Sequence, residues 1–221
     1  MPAPYKIRDF YLPSEIAAHN TADNCWVSIF HHVYDLTMLI AENYENELCD
    51  PLVLAAGTDI SHWFDSTTHE PKQFLNPDTH RMDYYCPLGR YLHIPENRAT
   101  APSKEVEFSR PWWQDQDKYQ IGRLTKRGRK ISIVNTLTQD EYTLEVASEE
   151  SINEILDRYL SHNSHAYSYT WKRLGKPMDM SLTLGENGIV DEYDELIKLG
   201  VDPEEYIPVI HIYFDDDLTM A

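Results

Sequence analysis

The fold of this chain is decided by residues 33–74, VYDLTMLIAENYENELCDPLVLAAGTDISHWFDSTTHEPKQF. Residues 33–36 have the β-branched and aromatic composition of a short strand, and Thr37 begins an apolar run that predicts a helix. Pro51 suits the first position of a second helix, because the N–H that proline lacks has no helical partner there. Gly57 ends that helix, and a third is predicted through residues 62–64. The stretch is therefore one short strand followed by several short helices.

The residues before this stretch complete a hairpin. Residues 25–30 read as a strand rich in aromatic and β-branched side chains, and His31-His32 form the turn that leads into residues 33–36. Further upstream, Pro13 and Ser14 precede a short apolar-periodic run and predict a capped helix. The N-terminal half is therefore expected to combine a small sheet with short helices.

The C-terminal half has a different rhythm. Residues 130–135 and 142–146 alternate like two strands joined by a turn, and residues 151–160 predict a capped amphipathic helix. Residues 169–172 and 209–214 are two further strands. A sheet covered on one face by a single helix satisfies this order, so the whole chain is predicted to be α+β.

The composition argues against several classes of protein. Of the 221 residues, 37 are acidic and 19 are basic, and the formal net charge of −18 argues against nucleic acid as a partner, because phosphate contacts need clustered Lys and Arg. No apolar run reaches ~18 residues, so we expect no membrane span. The three cysteines form no Cys-x-x-Cys pair and predict reduced thiols in the cytoplasm. No zinc-hydrolase, P-loop or nucleophile-elbow motif occurs, and we do not expect an enzyme.

A connector separates the two halves. Residues 96–118 are rich in proline and charge and show little periodicity, which is typical of a linker. The linker contains Trp112 and Trp113, each of which can bury roughly 150–250 Å². We expect them to dock the linker against one or both domains, with a partner-binding patch as the alternative.

The N-terminal half resembles the cytochrome b5 haem-binding domain over residues 8–95. The matching segments are Cys25-Trp26-Val27, Val33-Tyr34-Asp35-Leu36-Thr37, Ala56-Gly57-Thr58-Asp59 and Trp63-Phe64-Asp65. The resemblance implies a domain in which two histidines on facing helical loops bind haem iron from both sides, an arrangement suited to electron transfer.

One of the two family histidines is missing from this chain. In the family the first ligand lies in a His-Pro-Gly-Gly turn, which is replaced here by residues 42–46, Glu-Asn-Tyr-Glu-Asn. By resemblance the second ligand is His69, about ten residues after Asp59, and Phe64 stands where the family has a pocket phenylalanine. Without the resemblance, His69 would be a solvated loop histidine.

Two further residues are candidates for the other side of the iron. Tyr44 lies within one residue of the missing ligand, and tyrosinate can ligate ferric haem, although a tyrosine at a helix end more often packs its ring. His62 could face the pocket or could be a histidine at the core edge. The resemblance therefore implies haem b with altered or weak axial ligation. Its expected iron ligands are Tyr44 and His69, with His62 and Phe64 as further haem contacts.

The C-terminal half resembles a ubiquitin-like domain over residues 119–216, on the segment Thr183-Leu184-Gly185-Glu186-Asn187-Gly188-Ile189. The two halves with Pro111-Trp112-Trp113 between them resemble a family of soluble two-domain proteins of motile cilia. That resemblance implies a place in the axoneme, a cytoskeletal structure, and association with radial-spoke proteins. The acidic clusters at residues 191–195 and 215–217 are either docking sites for basic partner surfaces or solvated turns.

Three functions are compatible with these residues. The first is a non-enzymatic, haem-binding and redox-responsive axonemal component that supports ciliary motility. The second is a structural adaptor whose cytochrome b5-like fold holds no cofactor. The third is a cytochrome b5-type electron carrier, which two histidine ligands would have favoured.

Overall fold

The structure is a computed structural model that describes residues 8–95 and 110–215, so residues 96–109 of the linker lie outside the described residues. The chain divides into two compact units, residues 1–124 and residues 125–221. Both units mix sheets with short helices, and the predicted α+β class is confirmed. In the ranges that the structure describes, no helix has the length and apolarity to cross a membrane.

The first unit is built on one five-stranded sheet. The strands are β1 (Phe10–Tyr11), β2 (Asn20–Thr21), β3 (Asn24–Ile29), β4 (His32–Asp35) and β7 (Gln120–Leu124), and their order across the sheet is β1-β7-β4-β3-β2. Strand β1 pairs with β7 in parallel, whereas β4 pairs with β7 and with β3 in antiparallel. A separate hairpin consists of β5 (Gln73–Leu75) and β6 (Met82–Tyr84).

The helices of the first unit are short. They are α1 (Pro13–Ala18), α2 (Thr37–Glu42), α3 (Asp50–Leu54) and α4 (Gln116–Tyr119), with 3-10 turns at Glu47–Cys49 and Ser61–Trp63. Pro51 lies in the first turn of α3, as its missing N–H predicts. The third predicted helix is only the 3-10 turn at Ser61–Trp63, because Phe64 is already extended.

The turn between β3 and β4 is strained. Its central residues are Phe30 and His31, one residue earlier than the predicted His31-His32, and both have positive φ angles of 46° and 66°. A two-residue hairpin turn of this kind normally uses glycine or asparagine, and a bulky residue there costs on the order of 1–3 kcal/mol. The Phe30 N–H donates to Ser61 Oγ at 2.7 Å, which fixes the turn against the segment that follows α3.

Strand β7 returns the chain to the first unit after the linker. The sequence placed residues 119–216 in the second domain, whereas the structure places β7 between β1 and β4 and divides the units after Leu124. The described part of the linker also belongs to the first unit, because Trp112 and Trp113 are buried in its main core, as the docking prediction expected.

The second unit has one five-stranded sheet of its own. Its strands are β8 (Gly128–Asn135), β9 (Glu141–Ala147), β10 (Tyr169–Arg173), β11 (Lys176–Pro177) and β12 (Val209–Phe214), in the order β11-β10-β12-β8-β9. The first and last strands of the unit, β8 and β12, pair in parallel at its centre. The ubiquitin-like identity of this unit stays a prediction.

One helix of the second unit packs its apolar face into the core. Helix α5 (Ile152–Tyr159) begins with a capping box between Ser151 and Glu154, and it buries the stripe that the sequence predicts. The stripe residues are Ile152, Ile155, Leu156 and Tyr159. A second helix, α6 (Tyr193–Lys198), buries no residue.

The position of β7 between β1 and β4 predicts that a larger residue at Gly122 lowers the stability of the first unit. A Cβ added there would lie 2.5 Å from the Tyr11 ring and 2.6 Å from the Arg8 carbonyl oxygen, both closer than real Cβ contacts. We expect Gly122→Ala to lower the free energy of unfolding by about 1–3 kcal/mol, as overpacking does elsewhere, in urea titrations followed by fluorescence. The control is Gly185→Ala, whose new methyl group meets nothing closer than 4.0 Å. Equal stability of the two variants would contradict this placement of β7.

Candidate functional site

His69 and Phe64 are positioned by a compact loop after the 3-10 turn at Ser61–Trp63. The Asp65 carboxylate accepts the N–H groups of Thr67 and Thr68, both at 2.9 Å, and these hydrogen bonds lower the pKa of Asp65. The His69 N–H donates to the Asp65 carbonyl at 2.8 Å, and His69 itself has a positive φ of 59°. Phe64 consequently points into the core, whereas the His69 ring is exposed and packs on Phe30 with centroids 5.0 Å apart.

A cavity of about 290 Å³ lies beside this loop. Three parts of the first unit form its wall: the β3–β4 hairpin, the loop after Phe64 and the described end of the linker. The lining residues are Ile29, Phe30, His32, Tyr34, Phe64, Thr68, His69, Glu70, Arg110, Trp113, Gln114 and Gln116. The structure therefore brings Phe64 and His69 to one cavity.

Residues 110–116, here called the strap, close one side of this cavity. The Trp112 ring is fully buried, and its centroid lies 6.1 Å from that of Phe64, 6.2 Å from Tyr34 and 6.5 Å from Tyr91. The backbone N–H of Trp112 donates to His93 Nδ1 at 3.0 Å. The strap is thus packed as part of the core, and its tryptophans are not an exposed patch.

Glu70 connects the strap to the loop that carries His69. Its Oε2 accepts the Trp113 indole N–H at 3.1 Å, and its Oε1 accepts the Gln114 amide at 2.6 Å. Hydrogen bonds to a charged group contribute roughly 1.5–3 kcal/mol each. The Glu70 carboxylate therefore holds the strap against the cavity, directly beside His69.

His32 is a second imidazole of the cavity that the sequence did not single out. Burial, followed by the nearby charges of Arg123, His69 and His31, lowers the pKa of His32 and so favours its neutral ring. Its Nδ1 is buried and has no hydrogen-bond partner within residues 8–95 and 110–215. Strand alternation in the sequence indicates this position of His32, because His32 and Tyr34 are two residues apart on β4 and their side chains lie on the same face of the sheet.

The structure places Tyr44 and His62 away from this cavity. Tyr44 is 81% exposed, in the loop between α2 and the following 3-10 turn, and lines a different surface depression together with Arg90. His62 is exposed, and its ring centroid is 6.2 Å from that of Trp63. Asn43 caps the C-terminal end of α2, and its side-chain amide donates to the Leu39 carbonyl at 2.8 Å. Of the four candidate residues, the cavity unites only Phe64 and His69.

Comparison with known proteins shows the family to which this chain belongs. A family model described as "Cytochrome b5-like Heme/Steroid binding domain" matches residues 13–125. A Xenopus laevis protein named "Cytochrome b5 domain-containing protein 1" is 46% identical over 210 residues, covering 95% of this chain and 96% of its own length. The chain belongs to the cytochrome b5 domain-containing protein 1 family.

Other relatives agree with this assignment. A human "Cytochrome b5 domain-containing protein 1" is 46% identical over 215 residues, covering 97% of this chain and 93% of its own length. "Cytochrome b5 type B" of Rattus norvegicus is 32% identical over 109 residues, which is 47% of this chain. The family match extends through β7, whereas the sequence resemblance ended at residue 95. In this member of the cytochrome b5 domain-containing protein 1 family, the strap therefore lies within the matched domain.

The cavity contains some of the groups that bind haem, but its volume is too small for one. His69 supplies an imidazole and Phe64 an apolar ring, but ligand cavities span about 300–1,000 Å³ and a macrocycle needs the upper part of that range. At about 290 Å³ the cavity is too small, and Trp113 of the strap occupies one side of it, packed against Phe64. Haem could enter this cleft only after the strap had left it.

The closed arrangement carries an energetic penalty of its own. The Tyr91 hydroxyl and the Trp112 indole nitrogen are buried without a hydrogen-bond partner in the described ranges. An unsatisfied buried polar group costs roughly 1–3 kcal/mol. The strap is therefore stabilised by ring packing and by Glu70, but part of that gain is offset.

The contact between Trp112 and His93 predicts a pH dependence of stability. Burial lowers the pKa of His93 below the usual value of about 6.5. The unfolded chain therefore takes up the proton first, and the stabilisation present above about pH 6.5 is lost as the pH falls through the folded-state pKa. We expect the free energy of unfolding to fall less between about pH 7 and pH 5 in His93→Asn, because the Asn side-chain oxygen can accept the backbone N–H of Trp112 without titrating.

The control for this measurement is His165→Asn, which replaces an exposed histidine of the second unit. The stability of both variants and of the unmodified protein is measured by urea titration at each pH. A His93→Asn slope equal to that of the control would show that His93 does not couple protonation to folding.

Proposed function

We propose that this chain is a non-enzymatic component of the ciliary axoneme, associated with radial-spoke proteins, that binds haem conditionally and supports ciliary motility. The axonemal place, and with it a cytoplasmic and cytoskeletal location, rests on the whole-chain resemblance to the ciliary family. The conditional binding rests on one observation: His69 and Phe64 line a common cavity that the strap keeps too small for a haem.

Conditional binding is what an altered ligand set would produce. His69 is the proposed iron ligand on one side of the haem. The haem would be held weakly, because Tyr44, the candidate for the other side, is exposed on another part of the surface. Tyr44 can serve as the second ligand only if residues 43–46 rearrange. A hard anionic oxygen donor favours ferric iron, so oxidising conditions would favour binding.

A second candidate function is that of a structural adaptor with a permanently closed cytochrome b5-like domain. The observation that favours it is the complete burial of Trp112 among Tyr34, Phe64 and Tyr91. In this case the first unit would contribute a stable fold and no redox response.

A haem titration distinguishes the two functions. Purified protein is titrated with ferric haem, with and without reductant, and the Soret band is recorded. We expect saturable binding mainly in the oxidised state and an increase of the dissociation constant of about tenfold in His69→Ala. Tyr44→Phe should also weaken binding, whereas His62→Ala, which changes an exposed ring outside the cavity, is the matched control. Absence of any saturable band would favour the adaptor.

The strap generates a separate prediction with the same readout. Trp113→Phe keeps a ring but removes the indole N–H bound by Glu70, and so weakens closure of the cavity. Loss of one hydrogen bond to a charged group should tighten haem binding by about tenfold. The matched control is Trp171→Phe, which changes a buried tryptophan of the second unit. Weaker binding in Trp113→Phe than in the control would show that Trp113 supports the haem site instead of closing it.

A further inference from the structure

The segment from Val190 to Tyr206 carries several exposed apolar side chains on the second unit. Five large apolar side chains of this segment are exposed, with Leu199 the most open at 76%, and together they are called the α6 patch: Val190, Tyr193, Ile197, Leu199 and Tyr206. Tyr193 and Ile197 are one helical turn apart and share a face of α6. An apolar cluster of this kind on a small unit marks an interaction site more often than scattered single residues do.

Helix α6 is held in place by its polar contacts. Arg127 forms ion pairs with Asp191 at 3.1 Å and with Asp194 at 2.9 Å, and its guanidinium lies 4.6 Å from the centre of the Tyr193 ring. Arg129 donates to the carbonyls of Ile189 and Val190, both at 2.9 Å. Because these contacts fix the segment without burying any residue of α6, its apolar side chains are free to contact a partner.

A groove runs between this segment and the sheet. A cavity of about 500 Å³ lies there, within the range of about 300–1,000 Å³ typical of ligand sites. Its apolar wall includes Val190, Tyr193, Leu196, Tyr206 and Ile207. The α6 patch and the groove therefore share Val190, Tyr193 and Tyr206, so that one occupant could contact both.

The charge of the segment selects the kind of occupant. Residues 190–206 contain seven acidic residues and one lysine, a net charge of −6. The groove lining is balanced in charge, with Arg127, Arg129, Lys130 and Arg173 beside Glu145, Asp191, Glu192 and Glu205, so the negative excess forms an acidic rim along α6 and not in the groove. This rim disfavours anionic lipid and nucleic acid at the α6 patch, and it also opposes pairing with the same patch of a second copy. A positively charged partner with an apolar face satisfies both the rim and the patch.

We propose that the α6 patch binds a basic amphipathic helix of a partner protein. The apolar face of that helix contacts Val190, Ile197 and Leu199, while its Lys and Arg side chains meet the carboxylates around α6. This inference supplies the partner chemistry for the assembly role proposed above and rests on that role. It is independent of haem, because every contact lies in the second unit.

The test uses the full chain and two synthetic peptides. The probe is a fluorescent Leu/Lys peptide of about 18 residues with leucines at helical spacing, and its partner peptide has the same composition in scrambled order. Binding is measured by anisotropy. We expect Ile197→Glu with Leu199→Glu to weaken binding of the amphipathic peptide at least about tenfold. The matched control is Leu137→Glu with Leu174→Glu, which adds the same charge at exposed positions of two other turns.

The added charge makes the result decisive. If the peptide bound through charge alone, both double variants would bind it more tightly, and the scrambled peptide would bind as well as the patterned one; either result would overturn the proposal. Dimerisation of the unmodified chain in sedimentation, lost in the Ile197→Glu and Leu199→Glu variant, would identify a second copy as the occupant and would also overturn it. A failed haem titration leaves this experiment unaffected, so the two proposals fail separately.

Discussion

Burial of the Trp112 ring against Tyr34, Phe64 and Tyr91 is the contact on which the first unit depends. Because this ring belongs to the core, the chain after the linker must return to the β3–β4 hairpin before it can continue. That return delivers β7 to the open edge of β4, and β7 in turn accepts β1. One aromatic contact thereby determines where the unit ends and which space beside Phe64 is left open.

The Glu70 carboxylate couples the strap to the loop that carries His69. It accepts hydrogen bonds from two strap side chains, and it directly follows His69, whose loop is ordered by Asp65. Any ligand that moved the strap would have to release this carboxylate, and a charge left without partners in a partly buried place is costly. The chemistry at the imidazole is therefore coupled to the position of residues 110–116 by a short chain of hydrogen bonds.

Sequence patterns predicted the local elements better than the long-range ones. The hairpin, the capped helix α5 and its apolar stripe follow from spacing and capping alone, and the resemblance correctly identified the cytochrome b5-like domain. Strand β7 was assigned to the wrong side of the boundary, because a five-residue strand gives no local sign of which sheet it joins. His69 and Phe64 were placed by motif spacing, and docking of the linker through Trp112 and Trp113 was expected, whereas closure of the cavity by the strap and the place of His32 in it were not found. Their positions depend on tertiary packing between segments that are far apart in the chain.

The parallel pair of β1 and β7 has a consequence for synthesis of the protein. Phe10 and Arg123 are register partners, so the first strand of the unit is paired with the last one. A ribosome adds about 5–20 residues per second, so Phe10 and Tyr11 have no strand to pair with for several seconds, until β7 has been translated. During that interval the edge of β4 is also uncovered. Nascent chains of this protein therefore pass through a stage with two open strand edges, at which chaperones can bind before the sheet is complete.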